Sequence, residues 1–290
     1  MFRKSNITVV SFIIGTLILS ACSGANAEAA KGIPQLKCLG SADKAVVDLK
    51  CRDVSVAIEN AYLPFNYIDS KTNKAGGWDY EVMQEICTRL HCKPVFQEVS
   101  WDAMIQSVAD GLYDVAADGI TINDEREIIV DFSMGYINIQ QRLLVRKGEN
   151  RFASIEEMAA NPDLVLGTQS GTTNMETALK YLPEAQVRGF EQFPFAIQAL
   201  ISSDIDAVIL DEVIGLGYMG ENADKVELVG PSIESNQLGF VFPTDSVLVE
   251  PFNKAIQSMM DDGFLTKVNQ KFFGPDFKMT YDDIKEITYE

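Results

Sequence analysis

The sequence predicts an α/β fold in two similarly wound lobes, each a central, largely parallel sheet flanked by helices. Three observations predict it. From Cys51 onward, short apolar runs alternate with segments of helical period, the pattern of α/β folding. The second half of the chain repeats that plan. About 240 residues follow the N-terminal 50, enough for two modest domains.

Each element follows from local chemistry. Residues 54–58 read as the first strand. Residues 80–90 place Val82, Met83, Ile86 and Leu90 at helical spacing, with Asp79 where a cap is expected. A strand over 94–99 follows. Ser100 is then the expected cap of a helix with Trp101, Met104, Ile105 and Val108 on one face, ended by Gly111. Residues 114–117 form a third strand. Asn123 opens a further helix, with Asp124 and Glu125 favourably placed against its dipole. The second half offers strands over 164–168, 186–190 and 207–210, and helices over 173–181 and 194–202. Ile105-Gln106, Val108 and Asp114 match Ile197-Gln198, Leu200 and Asp206 at the same spacing. The match reads either as a repeat or as what any helix-to-strand unit looks like. A last amphipathic helix is expected within 251–273. Open α/β sheets bind ligands beyond the carboxyl ends of their strands, so two facing lobes would enclose a cleft.

The N-terminus has the order of a secretory signal: Arg3 and Lys4, an apolar run over 7–19, then Leu19-Ser20-Ala21-Cys22. The run is too short for a comfortable membrane span, which needs about 20 apolar residues. Two cleavage readings stand. Residues 19–22 resemble a lipobox, which would make Cys22 a lipidated first residue anchored through its acyl chains. Ala25-Asn26-Ala27 also suits ordinary signal peptidase. The expectation is a signal peptide with lipobox over 1–22 and a tether and N-terminal segment over 23–50, with 23–31 flexible. The mature protein is then periplasmic or otherwise extracytoplasmic, and lipid-anchored to the membrane.

That compartment permits disulfides, and an even set remains: Cys38, Cys51, Cys87 and Cys92. Local pairing is expected. Five residues of continuous helix would separate Cys87 from Cys92 by about 7.5 Å, beyond the disulfide range, so a bridge needs the helix to end near Leu90. Cys38 with Cys51 follows by elimination; the alternative is reduced, buried thiols.

The net charge of −18 becomes −20 once Arg3 and Lys4 are lost with the signal, since no acid leaves with them. Phosphate binding draws on Lys and Arg, so nucleic acid is excluded as a partner. His91 is the one histidine, with no evident partner for a Ser-His-Asp or Cys-His arrangement. Its isolation also argues against a transition-metal site, and neither metal nor cofactor is expected. Gly215-Leu216-Gly217-Tyr218-Met219-Gly220 spells G-x-G-x-x-G but does not open a helix directly after a first strand, so it reads as a small-residue helical face.

Five segments are family-specific. They are 56–65, ending Glu59-Asn60-Ala61-Tyr62-Leu63-Pro64-Phe65; Gly77-Trp78-Asp79-Tyr80-Glu81; Asp118-Gly119-Ile120-Thr121-Ile122-Asn123-Asp124-Glu125-Arg126; Gly167-Thr168-Gln169-Ser170-Gly171-Thr172-Thr173; and Asp206-Ala207-Val208-Ile209-Leu210-Asp211. In this order they resemble the signatures of the polar amino-acid solute-binding proteins of ABC importers, over about 54–274. The resemblance implies the type II periplasmic binding protein fold, with hinges near 138–142 and 235–239. Lobe 1 would comprise 51–139 plus 239–290, and lobe 2 would comprise 140–238. It further implies a monomer that captures an amino acid and presents its closed form to a permease, and no enzyme. Similar chains of the basic amino-acid branch carry a disulfide after the helix holding Cys87.

The resemblance also implies roles. Arg126, the arginine of T-x-x-x-x-R, would grip the ligand α-carboxylate with a bidentate fork. Thr121, Thr172 and Thr173 would add hydroxyl and main-chain donors, the last from a helix N-terminus. Asp211, from the opposite lobe, would take the α-ammonium. Tyr62 and Trp101 would sandwich the side chain, and Gly119 and Gln169 complete the motif set. Asp118 departs from the family's usual small residue and adds an acid to Glu59 and Asp211. Surplus buried charge is costly without a partner, so a basic amino acid is favoured; a neutral ligand such as glutamine follows if Asp118 bonds backbone instead. Glu59 or Asp118 could alternatively act as the acid of a cyclohexadienyl (prephenate or arogenate) dehydratase-like enzyme on the same scaffold. A sensor serving a receptor instead of a permease is a third reading.

Overall fold

The computed structural model describes residues 32–222, 224–274 and 276. The signal segment, Cys22 and residues 23–31 lie outside the described residues. In chain order the first lobe begins with β1 (Arg52–Ile58), a three-stranded flap of β2 (Ala61–Tyr62), β3 (Asn66–Asp69) and β4 (Lys74–Gly76), and helix α1 (Trp78–Leu90). Then come β5 (Cys92–Glu98), α2 (Trp101–Ala109), β6 (Val115–Ala116) and β7 (Val130–Phe132). Strand β8 (Ile137–Arg146) leads into the second lobe. It holds α3 (Ile155–Ala159), β9 (Leu166–Gln169), α4 (Thr173–Tyr181), β10 (Val187–Phe190), α5 (Phe193–Ile201), β11 (Ala207–Asp211), α6 (Glu212–Asn222) and β12 (Val226–Val229). The chain returns through β13 (Ser235–Leu238) to β14 (Val241–Pro243), α7 (Val249–Asp261) and α8 (Phe264–Phe273).

The two sheets share one winding. The first runs β5-β1-β6-β14-β7 and the second β10-β9-β11-β8-β12, and in each the first three strands are parallel and the fourth is antiparallel. Strands β8 and β13 pair antiparallel, Ser235 opposite Gln140 and Leu238 opposite Ile137, and form the two connections between lobes. The matched positions in the two halves do the same work. Asp114, ahead of β6, accepts the Ser55 N–H at 2.9 Å, and Asp206, ahead of β11, accepts the Val165 N–H at 2.9 Å.

Several expectations need correction. Helix α1 starts at Trp78 with Gly77 as its cap residue, so Asp79 lies inside the helix, where its carboxylate accepts from Asn66 at 2.9 Å. Ser100 precedes α2 as expected but gives its hydroxyl to Asp102 and makes no side-chain cap. Asn123 opens only a single 3-10 turn over Arg126–Ile128. Its side-chain oxygen accepts the Arg126 N–H at 2.9 Å, and β7 begins almost at once because Val130–Phe132 pairs with β14. The last helix is two. Gly263, at φ +77°, ends α7 in the left-handed region that favours glycine. Residues 215–220 lie within α6, as a helical face.

Residues 32–51 pack on lobe 1. Main-chain bonds tie Leu39 to Cys92, Val46 to Arg89 and Leu49 to Leu90. Disulfides join Cys38 to Cys51 and Cys87 to Cys92, with Cα atoms 5.4 and 4.6 Å apart. The second closes where α1 stops at Leu90 and His91 turns the chain at φ +49°. Among the described residues, no helix is long and apolar enough to cross a membrane.

Candidate functional site

The carboxyl ends of β1 and β9, and the turns after them, face one another across the lobes. Between them lies a cavity of about 320 Å³ lined by all eleven ligand-contact candidates: Glu59, Tyr62, Trp101, Asp118, Gly119, Thr121, Arg126, Gln169, Thr172, Thr173 and Asp211. Asn174 and Phe193 line it as well. Asn174 follows Thr173 in the first turn of α4, the same turn the sequence marks as a donor site. Phe193 opens α5, and nothing in its periodicity separates it from a core aromatic.

The lobes are hydrogen-bonded to each other through this cavity. Tyr62 donates to Asp211 at 2.5 Å, Gln169 donates to Glu59 at 2.9 Å, and the Thr121 and Thr173 hydroxyls are 3.3 Å apart. These bonds describe a closed arrangement. Tyr62 also stacks between Phe65 and Phe193, with ring centroids 5.4 and 5.6 Å away. Gly119 is needed beneath it: at φ +57°, a Cβ there would stand 2.7 Å from Tyr62 Cε1.

Arg126 is held for its position by short-range geometry. The 3-10 turn places it inward, one guanidinium nitrogen donates to the Thr121 carbonyl at 2.8 Å, and the group lies over the Trp101 ring at 5.4 Å. Burial lowers its proton affinity, opposed by Glu176, Glu125 and Asp211. Thr172 caps α4, accepting from Met175 N–H at 3.2 Å and donating to the Gln169 carbonyl at 2.7 Å. The helix N-terminus therefore opens into the cavity at Thr173. Asp211 accepts from Tyr62 and from Asn174 at 3.3 Å.

The cavity also holds acids. Glu59 and Asp118 line the cavity, and Asp79 lies behind it, joined to Asp118 through the amide of Asn66, which donates to both. Among the described residues, one oxygen of Asp79 is buried without a hydrogen-bond partner, while Asp118 also takes a main-chain bond from Glu59, the arrangement that leaves a neutral ligand open. Burial pushes Asp118 up to about 7 and Asp211 up to about 6, against the lowering effect of their hydrogen bonds. It raises Asp79, and it raises Glu59 with Asp118 adding repulsion. Burial disfavours the charged form of each of these carboxylates, and a cation beside them would favour it.

The chain is similar to known proteins along most of its length. Residues 54–275 match the family model described as bacterial extracellular solute-binding proteins, family 3. The chain is 28% identical over 275 residues to the L-cystine-binding protein TcyA of Bacillus subtilis, covering 94% of this chain and 98% of the relative. An ancestral arginine-binding protein has been solved with arginine and with glutamine. Its arginine-bound form superposes with a TM-score of 0.72 at 31% identity, over 77% of this chain and 98% of its own. The ancestral amino acid-binding protein AncCDT-1, a precursor of cyclohexadienyl dehydratase, superposes with a TM-score of 0.71 at 30% identity, over 76% of this chain and 95% of its own.

Proposed function

The chain belongs to the bacterial extracellular solute-binding proteins of family 3, and from that premise we propose that it captures a basic amino acid for an ABC importer. The observation that carries this reading is the charge layout of one cavity. Arg126 and the α4 N-terminus offer donors for an α-carboxylate, Asp211 offers an acceptor for an α-ammonium, and Glu59 with Asp118 offers acid for a distal cation. Charge-assisted bonds of this kind contribute roughly 1.5 to 3 kcal/mol each. A micromolar dissociation constant needs about −8 kcal/mol in all. Three such anchors and the Tyr62, Trp101 and Phe193 rings are sufficient after the costs of closure.

In this reading the ligand's α-carboxylate lies against Arg126, Thr121 and Thr173, and its stem runs along the aromatic wall formed by Tyr62, Trp101 and Phe193. The lobes, 51–139 with 239–290 and 140–238, hinge at β8 and β13 and close through Tyr62–Asp211 and Gln169–Glu59. The closed form docks on a permease. The protein acts as a monomer outside the cytoplasm, held to the membrane by lipid on Cys22. Mass spectrometry of the mature N-terminus tests the anchor: a diacylated or triacylated Cys22 is expected, and an unmodified Glu28 would contradict it.

A thermal-shift panel of the standard amino acids, with ornithine and cystine added, tests the ligand class. At 100 times its dissociation constant a ligand stabilises the chain by about 2.7 kcal/mol. Arginine, lysine, ornithine or histidine should give the largest shift; a large shift with glutamine or cystine and none with the bases would overturn the class. The raised Glu59 and Asp118 acids also suit a second reading, a cyclohexadienyl dehydratase-like enzyme. Turnover of prephenate or arogenate would establish it, and inertness alongside amino-acid binding would dismiss it.

A further inference from the structure

At the amino end of β1, the opposite end from the cavity, His91 and Asp48 surround one sulfur of the Cys38–Cys51 bond. His91 Nε2 is 3.1 Å from Cys51 Sγ, and His91 Nδ1 is 2.8 Å from Asp48 Oδ1. Cys51 is exposed and Cys38 partly so, whereas Cys87 and Cys92 are inaccessible. The donor atoms of Cys38, Cys51 and His91 lie within 4.8 Å of one another. The two sulfurs are bonded to each other, so this is a disulfide with a histidine–carboxylate pair set against one of its two ends.

We propose that Cys38–Cys51 is a thiol–disulfide exchange site in which Cys38 is attacked and Cys51 is expelled. Exchange runs faster when the departing sulfur is the better leaving group and when the bond is accessible. A neighbouring imidazolium stabilises a thiolate. Asp48 Oδ1 against Nδ1 fixes the ring, and the fixed ring sets Nε2 against Cys51 Sγ, where it can hand over a proton. Among the described residues, no ring nitrogen stands against Cys38 as His91 stands against Cys51. The step balances without a further oxidant. An incoming thiolate forms a bond to Cys38 Sγ, the Cys38–Cys51 bond breaks, and its electron pair goes to Cys51. Cys51 then takes the proton from His91 Nε2. A second thiolate attacking the incoming sulfur releases a small-molecule disulfide and leaves the dithiol.

The charged groups around the ring are few. Asp48 faces it, with Lys50 beside that carboxylate; Arg52 is engaged by Asp114 and Lys93 by Asp53.

The test uses the purified mature protein and reduced glutathione as probe, with acid quenching, alkylation and peptide mapping of each cysteine. His91→Asn is the variant of choice because asparagine tolerates the left-handed backbone at this position. The expected result is a glutathione adduct on Cys38, a free thiol on Cys51, an intact Cys87–Cys92 bond, and at least a tenfold slower reaction in His91→Asn. Asp48→Asn, which keeps the ring, should slow it by a smaller factor. The proposal is overturned if the adduct forms on Cys51, if Cys87–Cys92 opens as fast, or if His91→Asn leaves the rate unchanged. Arginine binding, measured on the same samples, checks that each variant is folded.

Discussion

Tyr62 donates its phenolic hydrogen to Asp211 at 2.5 Å, a bond between residues 149 positions apart that ties the flap of one lobe to the last parallel strand of the other. The acceptor is a carboxylate, so the bond belongs to the stronger, charge-assisted kind. It also leaves Asp211 lone pairs for a ligand ammonium. Tyr62→Phe keeps the stacked ring and removes only this donor. Arginine should then bind about tenfold more weakly, through faster release, as read by stopped-flow fluorescence; unchanged release would separate the bond from closure.

Asp118 takes the Asn66 amide and the Glu59 main chain, and its carboxylate is where a cationic and a neutral ligand would be told apart in the proposed reading. Asp118→Asn should weaken lysine or arginine by at least tenfold and leave glutamine unchanged or improved. Competition calorimetry gives the ratio, and an unaltered ratio would remove Asp118 from selectivity.

The same acids set the pH response. Asp118 at about 7 and Asp211 at about 6 sit above the ordinary carboxyl range because they are buried. The folded, ligand-free chain thus binds these protons more tightly than the unfolded chain does. Their contribution to stability is complete below the unfolded values near 4 and is lost as pH rises through 6 to 7. A basic ligand reverses the sign, since it pairs with the ionised form. Melting temperature should fall from pH 5 to 8 without ligand, and the shift produced by arginine should grow over the same range. A ligand-induced shift that shrinks toward pH 8 would contradict this.

Much of this arrangement was legible in the sequence, and the gaps have physical causes. The six parallel strands and helices α1, α2, α4, α5 and α7 follow from period and breakers, whereas the ten-residue β8 does not, and all eleven contact candidates reach one cavity. Strands β12 to β14 escaped because each has only three or four residues and is recruited by pairing with β7 or β8, which no local pattern announces. The turn before Arg126 reads as a helix start because Asn123 does cap it; the β-branched run behind it stops the helix. Asn66 and Asp79 form a layer behind Asp118 that depends on flap and helix meeting, a tertiary fact. His91 has no partner nearby in sequence, yet Asp48 and Cys51 reach it from about 40 positions upstream.

Gly119 carries Tyr62 on its open face. Gly119→Ala combines a left-handed φ with a contact of 2.7 Å against the Tyr62 ring. Stability should drop by about 1 to 3 kcal/mol, and ligand affinity should fall with it because the ring must shift. Urea titration and calorimetry on the same sample check both; a neutral substitution would mean that the flap yields freely.

The central claim is that Arg126 anchors the acidic end of a basic amino acid between the lobes. Titration calorimetry of arginine into the wild type and Arg126→Ala, with circular dichroism confirming that both are folded, tests it most directly. Affinity near micromolar is expected for the wild type, with a loss of at least a hundredfold, about 2.7 kcal/mol, in the variant. Equal affinity in the two proteins would contradict it.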